Sequence, residues 1–401
     1  MSDTEPLTLL CIATYAKGQA FLRECRRQGC RVLLLTLDTL RDADWPRDAI
    51  DETFFITRDI GREALLKGVS HVARTRRLDR IVALDDFDVE TAALLREHLR
   101  VPGMGETTAR YFRDKLAERM KARNFGIPVP DFVHVLNDDR IRAFADATPL
   151  PWILKPRSQA AAIGMKKIEQ AGDLWPALDE LGDRRSFYVL ERFVPGDVFH
   201  VDAIVWDKSV VFQAMHRYGE PPFQVAHGGG VFTTMSVAKH DPAWAALETI
   251  NRDVLTTFGI VRGVAHTEFI RSATDGRFLF LETSARVGGA FIVDLVEAET
   301  GLNLWREWAK LEIAGEEGRY RVPQAPERYA GLVLTLARQE WPDLGGYTDP
   351  EIVYRVSKAH HAGLIVASPD GARVRALVDE YARRFARDFY AYAPAPDRAP
   401  G

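Results

Sequence analysis

The chain has 401 residues, of which 46% are apolar and 27% charged, with a formal net charge of −4. That length exceeds one ordinary hydrophobic core, so two to four domains or subdomains of a globular protein are expected. The near-neutral balance argues against nucleic-acid and membrane-surface partners, and three scattered cysteines, Cys11, Cys25 and Cys30, make neither a disulfide framework nor a CxxC metal motif.

The polar start "MSDTEPL" carries no signal peptide, and no apolar run is long enough to span a bilayer, so a reducing cytoplasm is the expected compartment. "LTLLCIATY", "GQAFLRECRRQG" and "CRVLLLTL" read as strand, helix and strand of a parallel sheet. The first turn, "ATYAKG", is not GxGxxG, which removes a dinucleotide site. "DRIVALDDFDVETAALLREHL" repeats the unit and sets Asp85 and Asp86 at the carboxyl end of a strand, where such sheets place ligands. Glycine and proline in "VPGMGE" close this opening domain.

In "TTARYFRDKLAERMKARNFGIPVPDF", Thr107 and Thr108 read as helix caps, Lys115 as a mid-helix residue and Gly126 as the stop. "WILKPRSQAAAIGMKKI" reads as strand, loop and strand. "SFYVLERFVPGDVFHVDAIVWDKSVVFQAM" reads as successive hairpins, turning at Pro195-Gly196 and at Asp207-Lys208. "HDPAWAALETINRDVLTTFGI" is an amphipathic helix stopped by Gly259, and "VRGVAHTEFIRSATDGRFLFLETSAR" is a further hairpin. "HHAGLIVASPDGARVRALVDEYARRF" reads as strand, turn and helix, followed by a low-complexity tail expected to be disordered.

The hairpin with Asp275-Gly276 at its turn can be registered on paper. A two-residue turn at Asp275-Gly276 would set Glu268 opposite Thr283. A three-residue turn, Thr274 to Gly276 with the glycine left-handed, sets Glu268 opposite Glu282 and puts Ser284 and Arg286 on the same face. Two facing carboxylates repel by up to ~1 kcal/mol, and a cation between them reverses the sign. Their hard oxygens suit Mg²⁺. The structural alternative is that each acid has its own ion pair, one of them with Arg286.

With "RDKLAERMKARNFGIPVPDF", "WILKP", "VLERFVPG", "HTEFI" and "FLETSARVGG" in this order, the chain resembles the ATP-grasp superfamily, and within it the carboxylate–amine ligases that include amino-acid and dipeptide ligases. The resemblance implies an α/β (α+β) fold: a parallel α/β domain over 1–104, two α+β lobes gripping ATP over 105–185 and 186–315, and a small α/β cap over 316–401. It implies that Lys115 and Lys155 bring two ammonium groups to the ATP phosphates, and that Glu191, Phe193 and Val194 line the adenine. Glu268 and Glu282 would hold Mg²⁺, with Mn²⁺ as a substitute, and Arg286 would stabilise the transferring phosphoryl group. Gly288 and Gly289 would let the backbone approach that anion.

This sequence departs from the family at three places. Ser284 stands where asparagine is usual, so its place as third metal ligand is open. The phosphate loop "RSQAAAIGM" is alanine-rich, leaving the amides of Ser158 to Ala162 as donors. The ribose acid expected after the hinge falls on Val198, with Asp197 as the substitute. The implied reaction is ATP-dependent amide formation through an acyl phosphate, between small carboxylates and amines such as amino acids, in a chain that a homodimer would also suit. Competing classes are a biotin-carboxylase-like subunit, for which no "MKM" biotin segment is present, and a catalytically weak nucleotide-binding regulator. His216 and His266 lack metal-ligand spacing and read as core or surface imidazoles, whereas His227 in "VAHGGGVFTT" is expected to border the acceptor pocket.

Overall fold

Every residue of β1 (Thr8–Ala13) is buried, as a parallel strand covered on both faces requires. It lies between β2 (Arg31–Leu37) and β4 (Arg80–Ala83), with β3 (Glu52–Ile56) outside β2, all parallel. Leu9 and Cys11 pack against Phe21 and Leu22 of the helix Gln19–Arg27, while Leu10 and Ile12 meet Leu65, Val69 and Val89 from the helices on the opposite face. The computed structural model describes residues 5–159, 163–315, 318–324, 326 and 328–391, and all their side chains except those of 226 and 227. The expected tail disorder therefore falls outside the described residues.

The second sheet is antiparallel, in the order β5 (Phe132–His134), β8 (Tyr188–Arg192), β6 (Trp152–Pro156), β7 (Lys166–Ile168). The third has eight strands: β9 (Gly196–Trp206), β10 (Ser209–Tyr218), β11 (Phe232–Ser236), β12 (Gly263–Ser272), β13 (Phe278–Ser284), β14 (Tyr329–Leu336), β15 (Ile352–Arg355) and β16 (His361–Ser368), ordered β13-β12-β9-β10-β11-β14-β16-β15. The helix Pro242–Phe258 covers one face of it through Leu247, Val254 and Phe258. The helices Ile292–Thr300 and Leu304–Ala314 cover the other and continue into the packing of the helix Gln19–Arg27.

Three expectations are corrected by this topology. Pro195-Gly196 is not a hairpin turn, because β8 and β9 belong to different sheets and the chain crosses between lobes there. Strand β8 belongs to the first lobe although it begins beyond residue 185. Residues 316–401 form no separate cap: β14 pairs with β11, so these strands continue the second lobe's sheet and satisfy what would otherwise be an open edge. The Asp207-Lys208 turn is as expected, with φ of 47° and 63°, the left-handed pair that a tight two-residue hairpin demands. Among the described residues no helix is long and apolar enough to cross a membrane.

Candidate active site

The β12–β13 hairpin sets Glu268 opposite Glu282, Thr267 opposite Thr283 and His266 opposite Ser284. The route to that register differs from the three-residue turn. Near the loop Arg271 pairs with Phe278, and the Ser272 N–H donates to the Arg277 carbonyl at 2.9 Å, giving a four-residue loop with Gly276 at φ 70°. A bulge between Phe280 and Glu282 then shifts the register by one. The physical reason is Phe280, which is wholly buried under the helix Pro242–Phe258 and would share a face with Glu282 in an unbroken strand. The extra residue, Leu281, lets the phenyl ring enter the core while the carboxylate turns to the opposite face.

Neither acid pairs with Arg286. Glu282 accepts from Lys115 at 2.6 Å, and the Lys115 Nζ also donates to the Gln159 carbonyl at 2.8 Å. Burial favours the neutral form of Glu282, but Lys115 and the more distant Lys155 outweigh it and hold the carboxyl well below its ordinary range. Lys115 is the first residue of the helix Lys115–Asn124, not a mid-helix one. Asp114 caps that helix, accepting from the Leu116 N–H at 3.0 Å, while Thr107 lies inside a separate one-turn helix, Glu106–Ala109, that Gly105 begins.

Lys155 is buried on β6 and pairs with Glu191 on β8 at 2.7 Å; Glu191 also receives Arg119 at 3.1 Å. Burial lowers the Lys155 ammonium despite Glu191, whereas Arg119 and Lys155 hold Glu191 ionised against its own burial. The Glu191 side chain is thus held by Lys155 and Arg119. The interlobe segment follows it: Phe193 N–H donates to the Pro151 carbonyl at 2.9 Å and its ring carries the Lys167 ammonium at 4.6 Å, while buried Val194 N–H meets no acceptor among the described residues.

Arg286 follows β13, donates to its neighbour's carbonyl on Val287 at 2.7 Å and stands 3.8 Å from Asp86. Asp86 in turn bonds Arg113, whose other nitrogen donates to the Ser158 carbonyl at 2.7 Å. Asp86, at the parallel sheet's strand end, therefore links Arg286 and, through Arg113, the loop after β6, and the sequence marked it only by its position after β4. Gly288 is required by close approach: a Cβ there would sit 2.6 Å from Ile292 and 2.9 Å from Asp202, whereas one on Gly289 would meet nothing. Asp197 is already held by Arg217 and Arg271, each at 2.8 Å, which leaves its carboxylate committed. Ser284 joins the face of Glu282. The amides of 160–162 and the His227 side chain lie outside the described residues.

No protein-family model matches the chain. The L-arginine-specific L-amino acid ligase of Bacillus subtilis is 25% identical to it over 317 residues, 75% of this chain and 76% of the relative. The crystal structure of L-amino acid ligase from Bacillus licheniformis superposes with a TM-score of 0.73 at 19% identity, over 97% of this chain and 100% of its own. The biotin carboxylase domain of Hydrogenobacter thermophilus 2-oxoglutarate carboxylase, a dimer in complex with MgADP, ADP and bicarbonate, superposes at 0.70 with 15% identity, over 96% of this chain and 91% of that one. The relatives and structural neighbours of the chain are ATP-grasp carboxylate–amine ligases, and the chain is a ligase of that reaction type. Its class of reaction is the ATP-dependent formation of a carbon–nitrogen bond.

Sequence reasoning missed one part of the ligase. Across the face that carries Glu282, the ladder sets Glu268 opposite His200 and His266 opposite Asp202. Asp202 is completely buried and receives His266 Nδ1 at 2.9 Å on one oxygen and His200 Nδ1 at 2.8 Å on the other. A carboxylate only accepts, so both Nδ1 atoms carry protons. Burial lowers His200 to about 3, so its Nε2 is bare and accepts the Thr234 hydroxyl at 2.9 Å. Burial would lower His266 as well, but Asp202 outweighs it and raises that group to about 9. Alternation of polar residues on β9, β10 and β12 was the available signal, hidden because each strand's histidine reads singly as a core imidazole.

Proposed function

We propose that the ligase activates the carboxylate of one amino acid as an acyl phosphate and joins it to the amine of a second. The observation that carries this reading is the facing pair Glu268 and Glu282, with Lys115 on one of them and the Arg286 turn just beyond. The relatives named for L-amino acid ligation support the choice of amino acids as both substrates. The donor set fits Mg²⁺, or Mn²⁺ in its place: both acids offer hard oxygens, and Glu282 is held ionised by a lysine that a cation can replace. When bound, the ion neutralises charge on the triphosphate.

In this reading the ligase's own residues divide the work. Lys155, Lys115 and the amides near Ser158 hold the phosphates, and the Val194 N–H donates to the adenine ring. The γ-phosphorus–oxygen bond to ADP breaks as a substrate carboxylate oxygen takes the phosphoryl group. The amine nitrogen then attacks the acyl carbon, loses a proton, and inorganic phosphate leaves. Arg286 meets the charge that develops in both steps, with Asp86 orienting its guanidinium. Asp197 would reach a ribose only by loosening its pairs with Arg217 and Arg271.

The test is a screen of amino-acid pairs, with L-arginine tried as one member, that follows ADP and phosphate release and identifies products by mass. Equimolar ADP, phosphate and a condensed product are expected. ADP release with bicarbonate and no amino acid would move the assignment to the carboxylases, and AMP with pyrophosphate would refute an acyl phosphate.

A further inference from the structure

The Glu268 carboxylate is not free to rotate. Its Oε1 accepts from the Tyr218 hydroxyl at 2.8 Å, and His266 Nε2 stands 3.7 Å from the same oxygen. Both partners are themselves fixed. The Tyr218 ring lies 4.8 Å from His200 and 5.5 Å from Phe232, and His266 is tied through Nδ1 to Asp202. Asp202, bound to two imidazoles, cannot swing without breaking a second hydrogen bond in a site closed to water. His200 anchors the far end on Thr234 of β11.

His200, Asp202 and His266 bring three donor atoms within 4.8 Å of one another, a spacing that could suggest a cation site of their own. Their hydrogen bonds argue otherwise: each Asp202 oxygen already faces a protonated Nδ1, so the trio is a connected chain and its open end is His266 Nε2, directed at Glu268. The same Asp202 oxygen that holds His266 lies against Gly288, where it leaves no room for a Cβ. The chain therefore links the acid on β12 to the turn that follows Arg286.

We propose that Tyr218 and His266 are positioning residues for Glu268, holding Oε1 and thereby committing Oε2 to the metal ion, with Asp202 setting the imidazole. This rests on the reading of Glu268 as a metal ligand given above. Partners one step removed from a ligand orient it, and their loss costs on the order of 10–100-fold in metal affinity.

The experiment titrates Mn²⁺ into the full chain with saturating ADP and reads free Mn²⁺ by electron paramagnetic resonance, alongside ADP affinity without metal and thermal unfolding. Tyr218→Phe removes one hydroxyl and keeps the ring, His266→Leu removes the imidazole, and His266→Gln restores an N–H on a side chain of similar reach. Tyr218→Phe and His266→Leu are each expected to weaken Mn²⁺ by ~10-fold, with metal-free ADP binding within ~2-fold of wild type and most of the loss recovered by His266→Gln. Asp202→Asn should follow His266→Leu, and Glu268→Gln should exceed both. Wild-type Mn²⁺ affinity in Tyr218→Phe and folded His266→Leu, with Glu268→Gln impaired, overturns the positioning role and leaves the metal site standing. Equal loss of metal-free ADP binding would make the chain merely structural and also overturns it. An unimpaired Glu268→Gln removes the metal-ligand reading itself, and this proposal with it.

Discussion

Lys155→Met isolates one charge in the cleft with little disturbance to the fold. Around pH 7 the buried cluster holds Lys155, Lys115 and Arg119 against Glu191 and Glu282, because burial raises Glu118 to about 8 and keeps it protonated. Three cations against two anions leave a surplus positive charge for a phosphate, and the substitution removes it. An ammonium about 4 Å from a phosphate charge is worth ~4 kcal/mol at an effective dielectric of ~20. Glu191, 2.7 Å from Lys155, already offsets part of that. A loss of ~2.7 kcal/mol, or ~100-fold in nucleotide affinity, is expected. Stability should change by less than ~1.5 kcal/mol, since Glu191 keeps Arg119 at 3.1 Å and methionine fills the stem's space. Glu191→Gln is the contrasting case: it leaves Lys155 and Arg119 buried without their anion and should cost ~3 kcal/mol of stability. Isothermal titration with ADP and Mg²⁺, paired with urea unfolding, measures both quantities. A folded Lys155→Met protein that binds ADP as tightly as wild type refutes the charge argument.

Gly288→Ala should lower stability by ~1–3 kcal/mol and reduce turnover, because its Cβ would strike Ile292 and Asp202, whereas Gly289→Ala, whose Cβ meets no protein atom, should be silent in thermal unfolding. Glu282→Gln removes the anion that Lys115 contacts at 2.6 Å and should abolish the Mg²⁺ dependence of ADP binding, seen by titrating ADP with and without the metal. Asp88 offers a pH test. Burial raises its carboxyl to about 7, although it accepts the Thr14 N–H at 2.8 Å. Its folded-state value thus lies above the unfolded value of about 3.9, so the folded chain holds the proton more tightly and stability falls as pH rises between them. One proton gives a slope of up to ~1.4 kcal/mol per pH unit. Asp88→Asn should remove that component, so urea midpoints of wild type and variant compared at pH 5 and pH 7 should diverge; parallel pH profiles would contradict it.

Much of the ligase was legible in one dimension. The continuous apolar run of β1, the stop at Gly126 and the left-handed glycine at Gly276 are local requirements of backbone and burial, and each stands where the pattern puts it. The facing of Glu268 and Glu282 was legible too, yet for an incomplete reason. A three-residue turn and a four-residue loop with a bulge give the same pairing at Glu268, and only the demand that Phe280 enter the core selects the second. Pro195-Gly196 misled because a proline–glycine pair specifies a turn in the chain but not which sheet receives the next strand.

The sequence by itself determined most of the elements, their order and the resemblance to ATP-grasp ligases, and it marked the acids and lysines proposed for the nucleotide cleft, since periodicity, turn chemistry and motif order are properties of neighbouring residues. Tertiary structure alone decided that β14–β16 extend the second lobe's sheet, that Asp86 meets Arg286, and that His200, Asp202 and His266 form one chain behind Glu268. Those residues are brought together across tens to hundreds of positions, by strand pairing within the large sheet and, for Asp86 and Arg286, by contact between two sheets, and the burial that makes each hydrogen bond obligatory exists only once those contacts have formed.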